Sequence, residues 1–199
     1  MPHRLHLSKD KKLKKIIEGQ EPYVLQRKKN ICLDLCYSIM SQQLSIKVAA
    51  VFHQRFLALY NNKTPSNIQI ANTKFETLRG IGLSNAKANY VLNVARFFIE
   101  EKITDGTLYK MSNEAIINYL TRIKGVGQWT AEMVLMFSLG REDVFPMDDL
   151  GIQQAMCKLY KIETSDKKKR KEAMLVIAEK WIPYRTYASR YLWGWKDNS

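Results

Sequence analysis

Apolar residues along this chain recur every three to four positions, which is the spacing of helices with one buried face. The repeat is clearest in residues 31–40, 45–59 and 84–98. No segment keeps the alternation of a half-buried strand, and no hairpin dipeptide joins two runs rich in β-branched residues. The pattern predicts an all-α fold of roughly ten short helices.

Polar residues at the edges of these stripes mark where helices begin. Ser45, Ser84 and Ser112 each stand just before an apolar stripe, where a serine hydroxyl can accept a hydrogen bond from the first turn. Thr73 and Glu76 have the spacing of a capping box and predict a short helix that ends at Gly80. Further helices are expected in residues 8–20, 150–160, 168–181 and 184–193.

The most informative segment is Leu120–Ala131, where two apolar helices meet at Gly125-Val126-Gly127. Glycine takes positive φ and has no side chain, so it permits a tight hairpin between helices. The second helix starts at once, and a phosphate can bind the backbone N–H groups at its N-terminus. A plain corner between helices is the alternative. The surrounding pattern favours a hairpin that contacts the DNA backbone, followed by a buried central helix in residues 131–139.

Two carboxylates follow shortly after this hairpin. Asp148 and Asp149 come just past Pro146 and directly before an apolar helix. An aspartate at that position can cap the helix, and it can also be a rigidly held catalytic group. Spacing alone does not choose between the two aspartates.

Three further features have both a structural and a functional interpretation. The turn at Gln42-Gln43-Leu44 is either an ordinary connection or a wedge that fills the gap left by an extruded nucleotide. Trp129 follows the hairpin and Trp193 lies near the C-terminus. Either tryptophan can pack in a core or stack on a base.

The net charge of the chain indicates what kind of partner it binds. A net charge of +13 and a pI of about 9.6 imply a polyanionic partner, either nucleic acid or an anionic membrane. Lysine and arginine runs occur along the whole chain, which favours nucleic acid. No apolar run reaches the roughly 18 residues of a membrane span, and no signal-peptide core follows the N-terminus. We therefore expect a soluble intracellular protein.

The cysteines and histidines do not suggest a metal site. Cys32, Cys36 and Cys157 lack CxxC spacing, so they predict free thiols rather than a disulfide framework, a zinc site or an iron–sulfur site. The three histidines are not clustered as ligands. We expect no metal chemistry from these side chains.

Together these residues resemble the helix-hairpin-helix–GPD superfamily of DNA glycosylases, and within it the alkylation-repair branch of 3-methyladenine DNA glycosylase II. The similarity covers residues 30–195, nearly the whole chain. The matching segments are Ser41–Ser45, Leu78–Lys87, Ile123–Ala131, Asp143–Asp149 and Trp181–Trp193. The resemblance implies one glycosylase domain over residues 1–199, with two helical lobes, the hairpin at residues 120–131 and the active site in the cleft between the lobes.

The resemblance also assigns roles to individual residues. Asp149 is expected to be catalytic, Leu44 with Gln43 to form the DNA wedge, and Trp129 and Trp193 to line the base pocket. The hairpin residues expected at the DNA backbone are Lys124, Gly125, Val126, Gly127 and Thr130. The carbonyls of Thr121, Ile123 and Val126 are a candidate site for a monovalent cation, Na⁺ or K⁺, and no other cofactor is expected.

The chain departs from its relatives at a few positions. Trp129 stands where the bifunctional glycosylase/lyases carry a lysine, so lyase activity by that route is not expected. Met133 stands where some relatives have a tyrosine near the pocket. Lys124 replaces the commoner hairpin proline and adds a cationic side chain that can contact a phosphate.

The resemblance thus implies a monofunctional DNA glycosylase that hydrolyses the N-glycosidic bond of alkylated purines, such as 3-methyladenine and 7-methylguanine, in base excision repair. We expect a monomer acting on damaged double-stranded DNA in the bacterial cytoplasm at the nucleoid, or in the nucleus if the source is eukaryotic. The alternatives are a related glycosylase for a mismatched or deaminated base and a non-catalytic DNA-binding protein. Asp149 and the two tryptophans argue against the latter, because backbone binding requires neither.

Overall fold

The computed structural model describes residues 1–197, and across them the chain is helical with no strand. The helices, in chain order, are α1 (Pro2–Leu7), α2 (Lys11–Glu18), α3 (Ile31–Ser41), α4 (Ile46–Ala58), α5 (Asn67–Ala71), α6 (Phe75–Gly80), α7 (Asn85–Glu100), α8 (Asp105–Lys110), α9 (Asn113–Leu120), α10 (Gln128–Phe137), α11 (Leu150–Tyr160), α12 (Lys167–Glu179) and α13 (Arg185–Asp197). The all-α prediction is confirmed. The described residues hold thirteen helices rather than roughly ten, because the N-terminal segment forms two helices and short ones such as α5 and α8 lack a long apolar stripe.

The chain divides into two compact units. The first combines Met1–Gln26 with the segment that begins at Gly140, and it contains α1, α2 and α11 to α13. The second is Arg27–Leu139 and contains α3 to α10. Within the described residues, no helix is both long enough and apolar enough to cross a membrane.

The core of the second unit is built around α3, which contacts α4, α7 and α10. Its buried face carries Leu35 and Ile39, and α10 buries Ala131 and Leu135. The apolar periodicity therefore predicts α3 correctly. Helix α10 is buried along most of its length as expected, but it runs from Gln128 to Phe137 rather than over residues 131–139, and Phe137 is exposed. The three cysteines are free thiols: Cys32 and Cys36 are buried, and Cys157, on α11 in the first unit, is half buried.

The core of the first unit is built around Trp181, which is fully buried. Its indole Nε1 donates to Asp10 Oδ2 at 3.2 Å, and the Tyr160 hydroxyl donates to the same oxygen at 2.7 Å. Asp10 also caps α2 by accepting from the backbone N–H groups of Lys12 and Leu13. Burial alone would raise the pKa of Asp10, but these hydrogen bonds hold it below its usual value.

Three of the predicted helix caps are present, and one is wrong. Ser45, Ser84 and Ser112 each accept a hydrogen bond from a backbone N–H three residues later. The predicted box at Thr73 and Glu76 does not form, and α6 starts after Lys74 without a side-chain cap. The Thr73 hydroxyl instead donates back to the Gln69 carbonyl at 2.8 Å and contacts the Tyr60 hydroxyl at 2.7 Å. The capping box of this region is Ser66 with Gln69, at the start of α5.

Two helix junctions of the second unit share one construction. Gly82, before α7, and Gly125, before α10, have φ values of +103° and +107°. A Cβ on Gly82 would lie 3.0 Å from the Phe52 ring, and one on Gly125 would lie 2.2 Å from Cγ of Tyr90. The positive φ favours glycine at both positions, and at Gly125 a side chain would also overlap the Tyr90 ring.

Candidate functional site

Asp149 is the N-cap of α11, in the first unit. Its Oδ1 accepts a hydrogen bond from the backbone N–H of Ile152 at 2.8 Å and another from the indole Nε1 of Trp193, also at 2.8 Å. The helix start and the indole together fix the orientation of this carboxylate. Capping and a catalytic role are compatible here, because the cap itself holds the side chain in place.

Asp148 has a different environment. Its side chain is half exposed and forms an ion pair with Lys171 on α12. An ion pair at that exposure holds a carboxylate weakly and is screened by salt. The structure thus distinguishes two neighbouring aspartates that spacing could not, and it is Asp149 that has the rigid environment a catalytic carboxylate needs.

The segment that leads to Asp149 is fastened to the N-terminus of α13. Arg185 makes a bidentate pair with Asp143, Nε to Oδ1 at 2.6 Å and Nη2 to Oδ2 at 2.8 Å. The Thr186 hydroxyl donates to the carbonyl of Arg141 at 2.6 Å and accepts from the N–H of Val144 at 3.0 Å. These contacts give Arg185, in the matching segment Trp181–Trp193, a structural role: it anchors the loop before α11.

The same helix reaches Asp149 two turns later, because Trp193 also lies on α13. Residues 185 and 193 are separated by about 12 Å along the axis, at 1.5 Å per residue. Helix α13 therefore holds the loop at Asp143 and the carboxylate at Asp149. Trp193 is half buried and packs against the core of its unit, so it is at once a packing residue and a partner of Asp149.

Gly151 is a site residue that sequence reasoning missed. A Cβ at this position would lie 3.0 Å from Asp149 Oδ1 and 3.2 Å from Cδ1 of Trp193. A side chain here would require the carboxylate or the indole to shift by a few tenths of an ångström, so glycine suits the contact between them. The only sequence signal was a glycine in the first turn of a helix directly after the aspartate pair, and that spacing has no specific meaning alone.

The hairpin of the second unit, residues 121–127, lies between α9 and α10. Gly125 sits against the ring of Tyr90, and the Lys124 carbonyl accepts from Asn93 Nδ2 at 3.2 Å. Both partners are on α7, so this helix packs against the hairpin and holds it in place. The Lys124 side chain is exposed, and Gly127 is the N-cap of α10 with no side chain to cover the helix start. A phosphate could approach this helix start closely.

The carbonyls proposed to bind a monovalent cation belong to Thr121, Ile123 and Val126. The Ile123 carbonyl accepts from the N–H of Val126 at 2.9 Å, which uses one of its two lone pairs. Within residues 1–197, no group of three or more histidine, cysteine, aspartate or glutamate side chains could hold a metal ion. That finding concerns side-chain ligands, so the carbonyl site stays a prediction.

Trp129 and Thr130, both in the first turn of α10, differ in exposure. Trp129 is 38% exposed, so it is not a core residue of its unit. Thr130 is buried, and its hydroxyl accepts from Gln42 Nε2 at 3.3 Å. The Thr130 side chain thus connects the hairpin helix to the turn that contains Gln42. Its backbone N–H is the group that remains a candidate phosphate donor.

The predicted wedge lies in residues 41–45, which we call the 41–45 turn. Helix α3 ends at Ser41, Gln43 has a φ of +60°, and the Leu44 N–H donates to the Ser41 carbonyl at 3.1 Å. A left-handed conformation at a residue other than glycine costs about 1 kcal/mol. The side chains of Gln43 and Leu44 are both exposed. Leu44 is therefore not a core residue, and its side chain is accessible to a partner.

Comparison with known proteins assigns this chain to a family. A family model described as HhH-GPD superfamily base excision DNA repair protein matches residues 36–181, more than half of the chain. The matched range contains the 41–45 turn, the hairpin and Asp149, but it ends before Trp193.

Individual relatives extend the similarity over most of the chain. DNA-3-methyladenine glycosylase 1 of Schizosaccharomyces pombe is 36% identical over 92% of this chain and 80% of its own length. A putative DNA-3-methyladenine glycosylase of Bacillus subtilis is 34% identical over 86% of this chain, which spans 60% of that relative. A structure of the Schizosaccharomyces pombe 3-methyladenine DNA glycosylase with abasic DNA superimposes with a TM-score of 0.83 at 34% identity, covering 97% of this chain and 95% of that one.

Proposed function

Because the chain belongs to the HhH-GPD superfamily of base excision DNA repair proteins, we propose that it is a monofunctional DNA glycosylase that releases alkylated purines, such as 3-methyladenine and 7-methylguanine. The observation that carries the proposal is the Asp149 carboxylate, held at a helix start by Ile152 and Trp193. A protein that only binds the DNA backbone has no use for a carboxylate fixed in this way, since a negative charge opposes phosphate binding.

Asp149 acts on the sugar of the flipped nucleotide. Alkylation places positive charge on the purine, so the base is already a good leaving group. Its departure leaves an oxocarbenium-like sugar, and a fixed carboxylate stabilises that cation electrostatically. The same carboxylate can orient the attacking water and take its proton. The reaction thus breaks the N-glycosidic bond and leaves an abasic site with an intact strand.

The hairpin and the 41–45 turn act on the DNA. A backbone phosphate binds at the start of α10, where Gly127 leaves the N–H groups accessible and Lys124 adds positive charge. A monovalent cation on the carbonyls of Thr121, Ile123 and Val126 would supply further charge to the same phosphate. Leu44, with Gln43 beside it, fills the gap in the base stack while the damaged nucleotide is extruded.

Trp129 restricts the chemistry to hydrolysis. A glycosylase with lyase activity needs an amine that forms a Schiff base with the sugar. The indole of Trp129 has no such amine, and its exposed ring is suited to stacking on a cationic base. Trp193 supplies a second aromatic surface beside Asp149.

The named activities of the relatives support the choice of substrate. The partner in this proposal is double-stranded DNA that contains damaged bases, and the protein acts as a monomer. It acts in the cytoplasm at the nucleoid, or in the nucleus if the source is eukaryotic. The net charge of +13 supplies the general attraction to a polyanion.

A base-release assay tests this function. Duplexes that each carry one lesion are incubated with the protein, and free base is measured without strand-cleaving enzymes. The panel contains 3-methyladenine, 7-methylguanine, hypoxanthine, uracil and a mismatch. We expect release of the alkylated purines. Release of only a deaminated or mismatched base would show that the protein is a glycosylase for a different substrate class. If no base is released from any duplex, the protein would be a non-catalytic DNA-binding protein instead.

A further inference from the structure

Lys87 lies in the first turn of α7, and its side chain reaches the 41–45 turn. Its Nζ donates to the Met40 carbonyl at 3.0 Å and to the Gln42 carbonyl at 2.7 Å. These carbonyls belong to the C-terminal end of α3, where the last carbonyl groups lack partners within the helix and carry partial negative charge. The lysine is half buried, and its backbone N–H is itself held by the Ser84 cap at 3.2 Å.

The other side chains around this turn hold it from different directions. The Ser41 hydroxyl donates to the Tyr37 carbonyl at 2.7 Å and contacts His53 Nε2 at 2.9 Å. The Gln42 amide donates to Thr130 on α10 at 3.3 Å. Only the exposed pair that follows, Gln43 and Leu44, extends away from these anchors. The turn is therefore held at its first two residues, Ser41 and Gln42, and the charged group among its hydrogen-bond donors is the Lys87 ammonium.

We propose that Lys87 is a positioning residue, whose ammonium holds the 41–45 turn in its strained conformation so that Leu44 is ready to insert before DNA binds. This inference rests on the proposed function, since it concerns the wedge of that reaction. It accounts for the unfavourable φ of Gln43, because a left-handed residue persists only when its surroundings over-determine it. Insertion then costs less entropy, because the turn is already ordered.

The contacts of Lys87 distinguish this role from phosphate binding. A lysine that binds the DNA backbone extends into solvent, whereas Lys87 is half buried and its ammonium lies on two neutral carbonyls. Burial lowers the pKa of this ammonium, as expected for a cation withdrawn from water. A lysine suits the position because one compact ammonium can bridge two carbonyls two residues apart, which the planar guanidinium of arginine matches less well.

The first experiment compares Lys87→Met with wild type under single-turnover conditions. Methionine keeps the aliphatic stem and removes the ammonium. We expect excision from a lesion-bearing duplex to fall about tenfold or more, while excision from the same lesion in a single strand changes less than about threefold. Lys87→Arg should recover part of the loss. Equal losses on both substrates, with an unchanged melting temperature, would overturn the proposal.

Lys47→Met is the matched control, because Lys47 is an exposed lysine at the start of α4, directly beyond the same turn. The dependence of DNA affinity on salt separates a positioning role from phosphate binding. Loss of a phosphate contact reduces the slope of log affinity against log salt by about 1. We expect Lys87→Met to keep the wild-type slope. A reduced slope would make Lys87 a phosphate ligand and overturn its role as a positioning residue.

A double variant tests whether Lys87 acts through Leu44. If it does, Lys87→Met combined with Leu44→Gly should be no slower on duplex than Leu44→Gly alone. Additive losses would mean that the two residues act independently.

A binding readout keeps this test separate from the proposed chemistry. A duplex with 2-aminopurine beside an abasic site fluoresces more when a wedge unstacks the base. We expect wild type to raise the fluorescence, and both Lys87→Met and Leu44→Gly to raise it much less. If wild type releases no base yet shows this pattern, the proposed function fails and the role of Lys87 stands. If Lys87→Met matches wild type in fluorescence, the role of Lys87 fails whatever the activity.

Discussion

Trp193 and Asp149 are joined by a hydrogen bond of 2.8 Å from the indole Nε1 to Oδ1 of the carboxylate. A tryptophan predicted to line a base pocket is therefore also a tether for the predicted catalytic group. The two functions can be separated by substitution, because phenylalanine keeps an aromatic face and lacks the donor.

Trp193→Phe should lower the single-turnover rate of base release about tenfold or more, since a hydrogen bond to a charged group contributes about 1.5–3 kcal/mol. Affinity for abasic DNA should change little. Trp193→Leu, which loses the aromatic face as well, should be slower still. If the phenylalanine variant excises at the wild-type rate, the tether has no catalytic role and the ring alone matters.

Asp149→Asn should reduce excision by about a thousandfold or more, because the charge that stabilises the sugar cation is removed. Asparagine caps helices as well as aspartate does, so α11 should remain folded and binding to damaged duplex should persist. The control is Asp148→Asn, which removes only an exposed ion pair with Lys171 and should stay active. The reverse result, with Asp148→Asn inactive, would show that the roles of the two aspartates are exchanged.

The two hairpin glycines should respond differently to alanine. Gly125→Ala places a Cβ 2.2 Å from the Tyr90 ring at a φ of +107°, so thermal unfolding should shift to lower temperature. A Cβ on Gly127 has no protein atom within 4 Å, and φ there is −91°. Gly127→Ala should therefore keep wild-type stability and weaken binding to damaged and undamaged duplex alike. Normal DNA affinity in this variant would remove the start of α10 from the binding surface.

Asp10 should make the first unit sensitive to acid. Its pKa is lowered in the folded protein, so the charged form is favoured by folding. This contribution to stability is fully present above the unfolded pKa of about 3.9 and is lost as pH falls through the folded value. Asp10→Asn should lower the free energy of unfolding by about 1–3 kcal/mol at neutral pH. Denaturant titrations should show that the difference in free energy of unfolding between wild type and Asp10→Asn becomes smaller below pH 4. A difference independent of pH would mean that the charge of Asp10 does not stabilise the fold.

Local patterns predicted much of this fold. Ser45, Ser84 and Ser112 were identified as caps because the effect is confined to one helical turn. The failure at Thr73 has the opposite cause: its hydroxyl binds Gln69 and Tyr60, and the latter is distant in sequence. A capping rule that considers only the following residues does not detect such competition.

The same limit applies to the site. The aspartate pair, the hairpin and the 41–45 turn can be recognised in the sequence because each is a short motif. The choice of Asp149 over Asp148 came from the family resemblance and not from spacing. Gly151 and Lys87 cannot, since their roles depend on Trp193 and on the end of α3, which only the folded chain brings to them. The bidentate contact between Arg185 and Asp143 is hidden for the same reason. Residues that act through another residue are those that a sequence pattern does not reveal.

The geometry of helix α13 also constrains the number of residues between Arg185 and Trp193. Arg185 and Trp193 both need to face the loop and the carboxylate that they hold, and each added residue turns a helix by about 100°. One insertion between them would rotate the indole away from Asp149, whereas many substitutions in the interval would leave the register unchanged. Among relatives that keep this arrangement, the spacing from that arginine to that tryptophan should be invariant even where the intervening residues differ.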